Sequence, residues 1–97
     1  MRVYFSAAAS EELAAAFEYL EQQQAGLGFR FTADVDAALV RIRSQPLAWH
    51  PLGKYFRRCH LQHFRYGLIY RIRGEQAEIL AVAHDSRRPG YWRNRKH

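Results

Sequence analysis

From Phe64 to Arg73 the chain alternates with a period of two: Phe64, Tyr66, Leu68, Tyr70 and Ile72 interleave with Arg65, Gly67, Ile69, Arg71 and Arg73. That period belongs to a β-strand that buries one face and keeps the other polar. Gly74-Glu75 supplies a tight turn, and Ala77 to Ala83 reads as the returning strand. Tyr55 to Leu61 is a third strand candidate, crowded by charged residues.

The cover for the apolar face comes from the first half. Val3, Tyr4 and Phe5 form a short β-type run, and Ser6 stands where an N-cap stands before an alanine-rich segment. Leu13, Phe17 and Leu20 then fall at i, i+4 and i+7, with Glu11, Glu12, Glu18 and Glu21 elsewhere on the wheel. Gly26 and Gly28 interrupt this helix, Gly26 being suited to a left-handed helix end. Phe31, Val35, Ala38 and Ile42 repeat the helical spacing until Pro46, which cannot continue an interior turn. The pattern predicts an α+β domain: a short N-terminal strand and an antiparallel helical hairpin packed on a mainly antiparallel sheet of three to four strands. The opposite sheet face is expected to form a guanidinium-lined hollow, with the last dozen residues folding over its rim.

Ninety-seven residues suffice for one domain, taken as residues 1–97. Cys59 is the only cysteine, so no intramolecular disulfide forms. No leader-like apolar stretch opens the sequence and no segment reaches the roughly twenty apolar residues that cross a bilayer, so a cytoplasmic protein without membrane contact is expected. Charge is uneven: residues 1–48 carry four arginines against six carboxylates, whereas residues 49–97 carry eleven Lys/Arg against three. Such a field favours nucleic acid, an acidic protein segment or an anionic surface, the alternative being a solvated basic surface.

Thirteen arginines against two lysines supply planar forks that hold phosphate through paired hydrogen bonds. Arg57, Arg58, Arg65, Arg87, Arg88, Arg93 and Arg95 are the candidates for binding a polyanion or a protein target. Arg57 and Arg58 are strand neighbours and point to opposite faces, so one ligand meets only one of them, and Arg58 is preferred. His84 ends the last strand, where an imidazole serves as acid or base near neutral pH or simply hydrogen-bonds to the backbone. Asp85 is a poor partner for it, since adjacent strand residues diverge. Tyr91 and Trp92 either stack on an unpaired base or pack down the tail, and for the indole packing is the better reading. Cys59, His60 and His63 have no usual zinc spacing, and no metal or other cofactor is expected.

The ordered pieces "V-Y-F-S", "L-G…F", "I-R-S-Q-P", "R-R-C-H-L-Q-H-F-R-Y-G-L-I-Y-R-I" and "I-L-A-V-A-H-D-S-R-R-P-G-Y-W" resemble the RelE/ParE toxin superfamily of bacterial type II toxin–antitoxin systems over nearly the whole chain. One departure is Phe64-Arg65-Tyr66, where many relatives have Phe-Pro-Tyr. The resemblance implies a small growth-inhibitory, plasmid-stabilization type of toxin, held in a hetero-oligomer with a cognate antitoxin that wraps it, and the basic second half of the chain predicts that the wrapping segment is acidic.

Two mechanisms follow from it. ParE-like members inhibit DNA gyrase, and the ending with His84, Arg87 and Tyr91-Trp92 looks closer to them. RelE-like members cut messenger RNA on the ribosome without a metal, which requires a base, an acid and cations around the phosphorus. Should this chain be such a ribonuclease, His84 is base or acid, Tyr91 positions or carries a proton, and Arg58 with Arg87 clamps the oxyanion. A third reading is a non-catalytic binding protein or inactive relative.

Overall fold

Ser6 decides where the first strand stops. The computed structural model describes residues 1–95. β1 (Arg2–Phe5) gives way to α1 (Ala7–Gln23) at Ser6, whose Oγ accepts from the Ala9 N–H at 3.1 Å. One of the four orphan donors of the helix start is thereby satisfied. Ala9 and Ala16 are buried, and Leu13 and Leu20 pack partly buried against the same core.

A short connection through Gly26, left-handed at φ +89°, leads into α2 (Leu27–Ser44). No side chain of its own caps α2. Instead Glu21 of α1 reaches across, accepting from Gly26 N–H at 3.0 Å and Gly28 N–H at 2.9 Å. A carboxylate there meets both the unpaired amides and the positive end of the helix dipole. Gly28 also has no room for a side chain, because an added Cβ would lie 2.8 Å from the Phe17 carbonyl oxygen. The hairpin is closed by Phe17 and Phe29, edge to face at 5.0 Å.

Four more strands follow: β2 (His50–Leu52), β3 (Phe56–His60), β4 (Tyr66–Arg73) and β5 (Gln76–His84). They form one five-stranded sheet in the order β1-β5-β4-β3-β2, with β1 parallel to β5 and every other pair antiparallel. The architecture is the expected α+β arrangement, with five strands rather than three to four. The extra strand, His50-Pro51-Leu52, is too short to show alternation and carries a proline, which a sheet tolerates at its edge.

β5 holds an irregularity that re-aims its last residues. Ile69 pairs with Ala81 and Tyr70 with Ile79, leaving Leu80 unopposed as a bulge. Ala77 and Ile79 face the helices, and strict alternation would then turn Val82 and His84 away from them. The extra residue restores both to the helix side, where Val82 joins the main core and His84 meets Tyr66. The run Ile79–Ala83 is apolar at every position, so no period in it betrays the slip.

The helix-side core joins Phe31, Val35, Ala38 and Ile42 to Leu68, Tyr70 and Ile79. Each large buried side chain contributes roughly 1.5–3 kcal/mol. The other face is not the open hollow expected from its arginines. Ile69, Ala81 and Ala83 are apolar on that face, and Trp92, only 2% exposed, lies across them with Phe56, Leu52 and Tyr91 around it. The tail thus builds a second, smaller core, because three adjacent apolar positions needed a cover more than arginines needed a cavity.

Candidate functional site

Beyond Ile79 the outer edge of β5 has no strand beside it among the described residues, since β1 ends at Phe5 and the chain turns into α1. Exposed strand amides and carbonyls must find other partners. They find side chains. Val82 N–H donates to Glu12 Oε1 at 3.0 Å, and Arg95 Nη1 donates to the Leu80 carbonyl at 2.9 Å. Arg95 also holds Glu12 in a two-pronged pair, Nη1 to Oε1 at 3.0 Å and Nη2 to Oε2 at 2.8 Å. Tyr91 Oη completes the hub, donating to Oε2 at 2.8 Å.

Four donors on one half-buried carboxylate settle its protonation. Burial raises the Glu12 pKa, but the bonds from Arg95, the Val82 amide and Tyr91 outweigh it, and the pKa lies below the usual carboxylate value. Tyr91 moves the other way: burial first, then its bond to Glu12, pushes the phenol up to about 12. The guanidiniums of Arg87 and Arg95 lie 3.8 and 5.0 Å from its ring centre. Tyr91 therefore pins the tail and is not free to trade protons near neutral pH.

Next to the hub lies a groove of about 230 Å³ between α1 and the end of β5. Ala15, Ala16 and Val82 give it an apolar floor, Tyr19 and Tyr66 stand at its sides, and His84 and Arg87 rim it. The His84 ring meets Tyr66 edge to face at 5.0 Å. Its Nδ1 accepts from the Ser86 backbone N–H at 3.0 Å and lies 2.8 Å from Ser86 Oγ. A backbone amide only donates, so Nδ1 is the acceptor and the neutral ring carries its proton on Nε2.

The remaining predicted residues scatter. Arg58 is on the opposite sheet face from His84, lying across the bare backbone of Gly67, where an added Cβ would come within 2.5 Å of Arg58 Nε. Its Nη2 donates to the Ala83 carbonyl at 3.2 Å and to Asp85 Oδ1 at 2.7 Å. Arg57 points to the other face, as strand parity requires, and donates to the Trp49 carbonyl at 2.9 Å. Arg93 lies over the Trp92 ring at 4.7 Å. Arg65 and Arg88 are exposed. The structure brings His84, Arg87, Tyr91 and Arg95 into one neighbourhood and keeps Arg58 apart from it.

Three residues of this neighbourhood escaped the sequence reading: Glu12, Tyr66 and Ser86. Glu12 had a signal, since it falls three residues after buried Ala9 and four before buried Ala16, on the sheet-facing flank of the helix. Ser86 had none beyond standing two residues after a histidine.

Comparison with known proteins agrees with this architecture. Residues 3–89 match the family described as ParE toxin of type II toxin-antitoxin system, parDE. The chain belongs to that family. It is 44% identical over 55 residues to Toxin ParE2 of Mycobacterium tuberculosis, an alignment covering 57% of this chain and 52% of that protein. The chain spans about half the length of the curated relatives it matches. Among solved structures it is similar to a chain of the chromosomal ParDE TA system from P. aeruginosa, with a TM-score of 0.74 and 17% identity over 87% of this chain and 95% of the other. At that identity the likeness speaks for the fold.

Proposed function

We propose that this protein is a growth-inhibitory toxin of the ParE kind, acting in the cytoplasm on DNA gyrase by binding and neutralised by a cognate antitoxin in a hetero-oligomer. Family membership over residues 3–89 supports the toxin role. What favours binding over RNA cleavage is how the four candidate catalytic groups are spent. Arg58 is paired with Asp85 on the far sheet face, Tyr91 is tied to Glu12, and His84 turns its acceptor nitrogen to Ser86. Arg87 alone keeps its charge on the groove. A metal-free cleavage needs a base, an acid and a cation free to converge on one phosphate; His84 and Arg87 share the groove, but Tyr91 is tied to Glu12 and Arg58 lies on the other sheet face.

Three assays separate the readings. Induced expression should arrest growth, with rescue by the product of the adjacent small open reading frame; harmless expression would mean an inactive relative. Purified protein should block gyrase supercoiling in a defined mixture without RNA, and full supercoiling at saturating toxin would exclude gyrase as target. Ribosome-bound messenger RNA should remain intact, and cleavage would restore the ribonuclease reading with His84 and Arg87 at its centre.

A further inference from the structure

We infer that the pocket where β3 begins and the outer edge of β4 runs on alone binds one nucleotide unit, its phosphate between Lys54 and Arg57 and its base on the Tyr55 ring. The inference goes beyond the gyrase reading and does not depend on it. The pocket lies at the Ile72 end of β4, whereas His84 pairs with Tyr66 at the other end.

β3 meets β4 only from Arg57 opposite Tyr70 onward, so among the described residues no strand lies beside β4 at Arg71–Arg73 on that side. The β2–β3 turn folds there instead. Gly53, left-handed at φ +74°, turns the chain, and Lys54 and Tyr55 follow it. Between this turn and the bare edge is a pocket of about 190 Å³, with Leu47, Pro51 and Ile72 among its walls. An apolar cavity of about 150 Å³ takes a benzene ring. The pocket therefore encloses a phosphate with part of its sugar and leaves a base at the mouth. Tyr55, 68% exposed, is the flat ring on its lining.

Charge argues for the phosphate. Lys54, Arg57 and Arg71 line the pocket, and no carboxylate does among the described residues. Arg71 is answered by Glu78 at 3.4 Å, but none of the described carboxylates lies within ion-pair distance of Lys54 or Arg57. Arg57 is half-buried and donates to a neutral partner, the Trp49 carbonyl. Tyr70 beside it does not supply the missing charge: burial pushes its phenol up to about 12 against the pull of Arg57. The negative end of the α2 dipole is met by Arg41 and Arg43 in the last turn. A half-buried guanidinium without a counter-ion favours an anion beside it. Two cations on one small pocket suit the several charged oxygens of a phosphate better than a lone carboxylate. Lys54 Nζ lies 5.6 Å from the Tyr55 ring centre, so a cation and a stacking surface stand side by side, as in proteins that hold single-stranded nucleic acid. An acidic peptide calls for the cations but not for the exposed ring.

Amide ¹⁵N–¹H spectra of the purified full-length protein test this, in titrations with adenosine 5′-monophosphate, a short single-stranded oligothymidylate, inorganic phosphate and polyglutamate. The nucleotide, the oligothymidylate or both should shift the amides of Gly53 to Arg57 and leave those of Ser86 and Arg87 in place. Shifts with the mononucleotide alone assign the pocket to a free nucleotide, and shifts with the oligothymidylate assign it to a strand; either upholds the site. Shifts with neither overturn it. Polyglutamate binding as tightly as the nucleotide ligands overturns it too, by giving the pocket to acidic protein, and inorganic phosphate binding as tightly as the mononucleotide overturns the base contact. Lys54→Gln and Tyr55→Ala, both at exposed positions, should each weaken binding about tenfold, within the range for a base on an aromatic ring, while Tyr55→Phe keeps the wild-type affinity. With oligothymidylate, Lys54→Gln should also flatten the slope of log K against log salt by about 0.7, the value for one phosphate contact on a single strand. Unchanged affinity in both Lys54→Gln and Tyr55→Ala removes the site.

Discussion

The two faces of the sheet are closed by different means. On one, two helices mesh many side chains, from Phe31 and Ile42 to Leu68 and Tyr70, so burial is shared among them. On the other, a segment of turns lays down one indole and then fastens itself through Tyr91 and Arg95 to Glu12. Shared burial tolerates trimming; a cover resting on one ring and one carboxylate does not. The largest expected effect follows. Trp92→Ala should cost about 3–5 kcal/mol in denaturant unfolding, while Ile42→Val on the helix side should cost about 0.5–1.5. Near-equal losses would mean that the far face is not a core of its own.

The hub tests the same contrast with polar groups. Glu12→Gln leaves Arg95 and the β5 edge short of a charged acceptor and should cost about 1.5–3 kcal/mol, the range for hydrogen bonds to charged groups. Its pH signature is two-sided. Glu12 has a folded pKa below its ordinary value of 4.5, so its contribution is complete above that value and is lost as pH falls through the folded pKa. Tyr91, raised from 10.0 to about 12, acts oppositely: the unfolded phenol ionises first, and stability falls between pH 10 and about 12. Unfolding curves of Glu12→Gln should show a weaker acid-side loss and a weaker alkaline one. A wild-type alkaline slope in the variant would uncouple the two side chains.

This contrast also marks what the sequence could tell. The helix side was legible because both partners carry periods: 3.6 in Leu13, Phe17, Leu20 and in Phe31, Val35, Ala38, Ile42, and 2 in Tyr66, Leu68, Tyr70. Ser6 as cap, Gly26 as left-handed residue and Trp92 as anchor follow from local chemistry as well. The site was less legible. The Leu80 bulge re-aims His84, yet it lies within a run of five apolar residues, where alternation has nothing to report. The partners Glu12–Arg95 and Arg58–Asp85 are far apart in sequence; the folded sheet brings the first pair together at the outer edge of β5 and the second across the bare backbone of Gly67. The basic second half predicted a charged surface, but half-buried arginines such as Arg58 and Arg95 are used up inside the molecule.

The smallest predicted effect separates spent arginines from free ones. Asp85→Asn removes a partner whose side chain is 33% exposed, so the ion pair with Arg58 should be worth no more than about 0.2–1 kcal/mol. Arg58→Lys keeps the charge but loses the fork that reaches both Ala83 and Asp85, and it too should register as a modest loss of stability. Neither change alters the groove, so growth arrest and antitoxin binding should persist in both. Arg87→Gln should behave in reverse, leaving the unfolding midpoint within error, because Arg87 is exposed and, among the described residues, bound to no carboxylate, while weakening the complex. Arg58→Lys that kept its stability but lost toxicity would return this arginine to the functional surface and make the far face a binding face after all.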